Sequence, residues 1–119
     1  MKYYILAGEA SGDLHGSNLI KALHKKDPQA RIKCWGGDLM EKAGSGLDSH
    51  YKDRAFMGFF EVVKDLPRII GYIKKCKKDI IDFQPDVVIL IDNSGFNLRI
   101  APFVKSLGIP VHYYISPQL

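Results

Sequence analysis

Residues 7 to 16 read Ala-Gly-Glu-Ala-Ser-Gly-Asp-Leu-His-Gly, which places two acids and a hydroxyl among small residues directly behind the apolar run from Tyr3 to Ala7. Gly8 and Gly12 let a backbone turn and leave room for a ligand, and Ser11 or Asp13 can cap a helix beginning near Leu14. Such a loop, with Glu9 in it, aims backbone N–H groups and a positive helix end above the sheet, which suits an anionic or hydroxyl-rich ligand. Gly36-Gly37-Asp38 forms a second loop of the same type. Each alone reads as a tight strand-to-helix turn; two at one strand-end rim point toward a ligand cleft.

The third segment with chemical potential is Asp92-Asn93-Ser94-Gly95-Phe96-Asn97, immediately after Val87-Val88-Ile89-Leu90-Ile91. Open α/β sheets bind ligands at the carboxyl ends of their strands. An acid held there in a low-dielectric cleft can have a pKa high enough to act as general base toward a sugar hydroxyl. Asp92 reads equally well as a cap or brace for the helix that follows. Asn97 can orient a hydroxyl or act as a cap in its turn. The glycine loops carry neither the G-x-G-x-x-G spacing of dinucleotide folds nor a Lys-Ser/Thr pair for nucleoside triphosphates, which argues against both chemistries. Cys34 and Cys76 lie far apart without C-x-x-C spacing and the four histidines are scattered. Reduced thiols, no metal and no cofactor are expected.

Positioning these loops requires alternating strands and helices. The pattern predicts strands near 3–7, 31–35, 87–91 and 110–115, and helices from Leu14 to about Lys26, Asp38 to Ala43 and Phe96 to Leu107, the last interrupted early at Pro102. Residues 87–91 are apolar on both faces, as in a central parallel strand covered on each side. The expected fold is therefore α/β, a doubly wound parallel sheet with helices on both faces, Rossmann-like. Residues 57–83 are expected to be helical in two pieces broken at Leu66-Pro67, with Ile69, Ile73, Cys76 and Ile80 facing a core.

From Lys64 to Lys78 there are six basic residues against the single acid Asp65, although the whole chain of 119 residues carries only +4. Met57, Phe59 and Phe60 beside Lys64, Arg68, Lys74 and Lys75 suit an anionic membrane surface, apolar side chains entering the interface and cations meeting headgroups. The plainer alternative is a packed helix with a solvated lysine face. No aromatic residues alternate with the lysines as stacking platforms, so nucleic acid is not an expected partner. The length and the 46% hydrophobic content fit one domain. No apolar run approaches the roughly 20 residues that span a bilayer, and no signal-peptide pattern opens the chain, so a cytoplasmic protein is expected.

Taken together, seven blocks in order resemble the lipid A disaccharide synthases, the family 19 glycosyltransferases of GT-B type. They are the segment from Ala7 to Gly16; Gly36-Gly37-Asp38 with Met40 and Ala43-Gly44; Met57-Gly58-Phe59-Phe60-Glu61-Val62 with Leu66-Pro67; Pro85-Asp86-Val87-Val88; Asp92 with Phe96-Asn97-Leu98; Gly108-Ile109-Pro110-Val111; and Tyr114-Ile115-Ser116-Pro117-Gln118. The resemblance implies transfer of diacylglucosamine from UDP-diacylglucosamine to the 6-hydroxyl of diacylglucosamine 1-phosphate, with inversion, release of UDP and no obligatory metal. It makes Asp92 the candidate base and gives Gly8, Glu9, Ser11, Gly12, Asp13, Gly36, Gly37, Asp38 and Asn97 to the acceptor side of the cleft. Acylated substrates give the basic helix a reason to meet the inner membrane. Some members carry a second acid where this chain has Gly95. The resemblance also implies an amino-terminal, acceptor-side domain, catalytically silent without a carboxyl-terminal domain that holds the nucleotide site. The alternative is a non-catalytic Rossmann-like domain for a nucleotide or sugar phosphate.

Overall fold

Five consecutive apolar residues, Val87–Ile91, form strand β4, and all five are buried. Burial on both faces requires cover on both faces, and the chain supplies it. The computed structural model describes residues 1–53, 62–91 and 95–114, with backbone only for 62–66. Along it run β1 (Lys2–Leu6), α1 (Ala10–Lys26), β2 (Arg31–Gly36), α2 (Asp38–Lys42), β3 (Gly46–His50), α3 (Val62–Phe83), β4, α4 (Gly95–Ser106) and β5 (Val111–Tyr114). The sheet has the order β3-β2-β1-β4-β5, and every pairing is parallel. The doubly wound Rossmann-like sheet expected from the pattern is the observed fold.

Two cores sandwich the sheet. Ile5, Ala7, Cys34, Met40, Ile89 and Ile91 pack with Ile20 of α1 on one side. On the other, Tyr4, Leu6, Trp35, Val88 and Leu90 meet Cys76 and Ile80 of α3 and Ile100 and Val104 of α4. Alternate residues of each strand point to opposite faces; Cys34 of β2 lies in the first core and Cys76 of α3 in the second, and no disulfide joins them.

Four local expectations are corrected. Helix α1 starts at Ala10, one turn before Leu14, with Glu9 as its extended N-cap (φ −156°, ψ 175°) and Asp13 N–H bonded to the Glu9 carbonyl at 2.9 Å. Ser11, Gly12 and Asp13 are thus helical. Proline 67 lies inside a continuous α3 and Pro102 inside a continuous α4. A proline removes one helical hydrogen bond, but the buried stripes Ile69, Cys76, Ile80 and Phe83 and Ile100, Ala101 and Val104 hold these helices against the sheet. Strand β3 is additional to the expected four. Its sequence, Gly-Leu-Asp-Ser-His, has no apolar alternation, and it is held at the edge by tertiary bonds. The buried Tyr4 hydroxyl donates to Asp48 at 2.8 Å, and Lys75 Nζ donates to the Asp48 carbonyl at 3.1 Å. Burial and the Asp48 carboxylate both push the Tyr4 phenol well above its usual pKa.

Candidate functional site at the carboxyl rim of the sheet

Helix α1 crosses on one face and α4 on the other, so the direction of winding reverses between β1 and β4. A crevice at the carboxyl ends of the strands, where winding reverses, is the ligand position of doubly wound sheets. Around it lie Gly8 after β1, Gly36 at the end of β2 with Gly37 after it, and Ile91 at the end of β4.

The glycines bring these ends together by allowing close approach. Positive φ occurs among the described glycines at Gly44 and Gly108, not in either rim loop. A Cβ on Gly12 would lie 3.1 Å from Ala7 Cβ and 3.4 Å from Ile91 Cγ2, so the first turn of α1 rests against the ends of both β1 and β4. A Cβ on Gly37 would lie 2.6 Å from Asp13 Oδ2, and one on Gly36 would collide with Met40 Sδ. Gly8 faces open space.

Asp13 is the link between the two glycine loops. It is 3% exposed. Its Oδ1 accepts the N–H groups of Gly37 at 2.9 Å and Met40 at 3.0 Å, and its Oδ2 accepts that of Leu39 at 3.1 Å. It therefore caps α2, 24 to 27 residues away, and not its own helix. Gly37, the N-cap of α2, supplies no side-chain cap itself.

The exposed groups at the rim are different ones. Glu9 and Ser11 are solvent-facing and joined, Ser11 Oγ donating to Glu9 Oε1 at 3.1 Å. Asp38 is also exposed, and its Oδ1 lies 3.1 Å from His50 Nε2. The N–H of Lys52 donates to His50 Nδ1 at 3.1 Å, which leaves the ring proton on Nε2 and aims it at Asp38. His50 reaches the rim because β3 pairs it with Gly36. Without β3, the sequence offered no signal for it.

Asn97 is 2% exposed, and its Nδ2 donates to the Ile91 carbonyl at 2.9 Å. Asp92 lies outside the described residues, as do Met57, Phe59, Phe60 and the side chain of Lys64. Of the remaining basic candidates, Arg68 and Lys74 are exposed. Lys75 is engaged, its Nζ 2.8 Å from Asp79 and 5.2 Å from the centre of the Trp35 ring.

The chemistry available at the described rim is acid, hydroxyl and imidazole. Cys34 is no nucleophile, since burial pushes its thiol up to about 12. Among the described residues no group of three His, Cys, Asp or Glu side chains is placed to hold a metal, and no helix is long and apolar enough to cross a membrane. A groove of about 300 Å³ lined by Ile80, Ile81, Pro85, Leu107 and Ile109 lies at the opposite, amino end of the sheet.

Comparison with known proteins agrees with this architecture. A structure of UDP-GlcNAc 2-epimerase from Neisseria meningitidis, bound to UDP-GlcNAc, superposes with a TM-score of 0.65 at 14% identity, over 95% of this chain and 31% of that one. Lipid-A-disaccharide synthase from Syntrophus aciditrophicus is 45% identical over 97% of this chain, and that from Neisseria gonorrhoeae is 42% identical over 97%. The chain spans about 30% of the length of these relatives. The family model for lipid-A-disaccharide synthetase matches residues 3–119, and the chain belongs to that family.

Proposed function

We propose that this chain is the acceptor-side, amino-terminal domain of an inverting glycosyltransferase that makes the lipid A disaccharide. The observation that carries the reading is the meeting of both glycine loops and the end of β4 at one reversal point, in a chain whose relatives bear the name lipid-A-disaccharide synthase. Asp92 takes the proton of the 6-hydroxyl of 2,3-diacylglucosamine 1-phosphate as that oxygen attacks the anomeric carbon of UDP-2,3-diacylglucosamine. The bond to UDP breaks from the opposite face, UDP leaves with the bonding pair, and the β(1→6) linkage forms. One base and one stabilised leaving group suffice, with no metal required. Glu9, Ser11 and Asp38 are the exposed polar groups of the acceptor wall, and the remaining domain of the full-length protein supplies the nucleotide site.

Incubation of the full-length protein with both lipids is expected to yield disaccharide and an equal amount of UDP. UDP binding without disaccharide would leave a non-catalytic binding domain and defeat the proposal.

Acylated substrates place the work at a membrane surface, on the cytoplasmic side of the inner membrane. In α3 the exposed Lys74 and Lys78 accompany Ile70, which is 43% exposed. Each lysine near an anionic surface contributes about 1 kcal/mol. Binding of the full-length protein to vesicles containing anionic phospholipid is expected, weakened by salt and lost on Phe59→Ser with Phe60→Ser. Equal binding to neutral vesicles, or binding to neither, rejects the membrane reading.

A further inference from the structure

We propose that Asp38, His50 and Tyr51 form a ledge that reads the acceptor sugar, the Asp38 carboxylate taking its 4-hydroxyl and the Tyr51 ring supporting a face of the pyranose. The inference rests on the reading of this chain as the acceptor-side domain.

Two elements bring the ledge to the rim: Asp38 opens α2, His50 closes β3, and Tyr51 follows it. A Cβ on Gly37 would lie 2.5 Å from Tyr51 Cε2 and 2.6 Å from Asp13 Oδ2, so the tyrosine ring rests on the same glycine that the buried Asp13 holds. The His50 ring backs it, centres 4.7 Å apart and planes 36° from parallel. Both nitrogens of His50 are engaged, Nδ1 by the Lys52 N–H and Nε2 by Asp38 Oδ1. His50 is therefore a positioning residue, a prop without a nitrogen left for a ligand. The Asp38 side chain is 67% exposed, and its Oδ2 has no hydrogen-bond partner among the described residues. Tyr51, half-buried, keeps part of its ring in solvent.

The chemistry of the acceptor narrows what such a ledge can meet. A carboxylate repels a phosphate and accepts a hydroxyl. In 2,3-diacylglucosamine 1-phosphate the first three ring positions are substituted and the 6-hydroxyl reacts, which leaves the 4-hydroxyl as the free donor for Asp38. Carbons 2 to 5 of this sugar carry their substituents equatorially, so C–H bonds cover its faces and suit an aromatic ring. Aromatic contact area with one placed polar group is the usual composition of a ligand site.

The test compares two acceptors in the full-length protein, 2,3-diacylglucosamine 1-phosphate and its 4-deoxy analogue, with UDP-2,3-diacylglucosamine as donor. Wild type is expected to use the 4-deoxy acceptor with kcat/KM lowered about tenfold, the effect of one hydrogen bond to a charged group. In Asp38→Ala the two acceptors should differ by less than about twofold, because the group that tells them apart is gone. His50→Leu removes the tether of Asp38 and should bring the ratio to about threefold or less. A merely structural His50 would lower both rates and leave the ratio at its wild-type value, which overturns its positioning role. Tyr51→Leu should raise the acceptor KM roughly tenfold with the ratio retained, while Tyr51→Phe stays within about twofold of wild type. Loss of the same size in Tyr51→Phe overturns the stacking role. Each ratio is read on one protein, so a partly unfolded variant does not disturb it. Equal use of both acceptors by wild type, or a donor KM that rises in place of the acceptor's, overturns the ledge and leaves disaccharide synthesis standing. Absence of disaccharide from wild type with the natural lipids removes the proposed function and this inference with it.

Discussion

Asp92→Asn in the full-length protein is expected to lower kcat by about 10²- to 10⁴-fold, the usual contribution of a general base, while the protein folds and binds UDP as before. The choice of asparagine decides between two roles. As an N-cap, asparagine is about as good as aspartate, so a residue that only caps α4 would lose less than about threefold in turnover. As a base, asparagine retains the shape and cannot take a proton. Alanine would confuse the two, because it removes cap and base together. The pH profile supplies a second readout. If Asp92 is the base, the acidic limb of kcat reports its ionisation, and that limb should disappear from the residual activity of the variant. A variant with wild-type turnover and an unchanged acidic limb would transfer the proton-accepting role elsewhere, and the exposed Glu9 and Asp38 would be the next candidates.

The parts of the fold that were legible in the sequence are those whose burial is written into consecutive residues. Val87–Ile91 is apolar at every position, and such a run is stable only in the middle of a covered sheet. Strand β3 was not legible, because its pairing is decided by partners distant in sequence. Tyr4 and Lys75 hold Asp48 from β1 and α3, and His50 comes to the rim only through that pairing. Pro67 and Pro102 misled in the opposite sense, since a local rule about helix interiors was outweighed by long buried stripes.

The rim shows the same division. That two glycine loops meet at one rim is readable from spacing, since one follows each of two strands; the acid after a third, Asp92, lies outside the described residues. The physical use of each loop is not readable in that way. Spacing suggests turns and room for a ligand at Gly12 and Gly37, yet what they provide is the absence of a Cβ against Ala7, Ile91 and the Asp13 carboxylate. Spacing offers Ser11 or Asp13 as a cap for the helix that follows, because it reports only local partners. Asp13 caps a different helix, and nothing in the ten residues around it could show that.

Asp13→Ala is accordingly expected to be among the most destabilising substitutions in the chain, costing about 3–5 kcal/mol. Three backbone N–H groups, those of Gly37, Leu39 and Met40, would lose the carboxylate that accepts them, and Asp13 itself is 3% exposed. Each buried donor left unsatisfied costs about 1–3 kcal/mol. Helix α2 has five residues, too few to persist on its own hydrogen bonds, so the loss should spread through Met40 into the core beneath it. Against a total stability of about 5–15 kcal/mol for a domain, this is a large fraction. The urea midpoint should fall by more than about 1 M, and the amides of Gly37, Leu39 and Met40 should lose protection from hydrogen exchange. Asp13→Asn separates structure from ligand contact. Its one remaining oxygen can still serve Gly37 and Met40, but its NH₂ group would face the Leu39 N–H, donor against donor, for about 1–2 kcal/mol. If Asp13 were mainly a contact for the acceptor sugar, the ordering would invert: Asp13→Asn would leave the urea midpoint in place and raise the acceptor KM. A midpoint that moves in the order alanine, asparagine, wild type, with α2 amides exchanging first, assigns the buried carboxylate of this motif to holding the two loops of the cleft together.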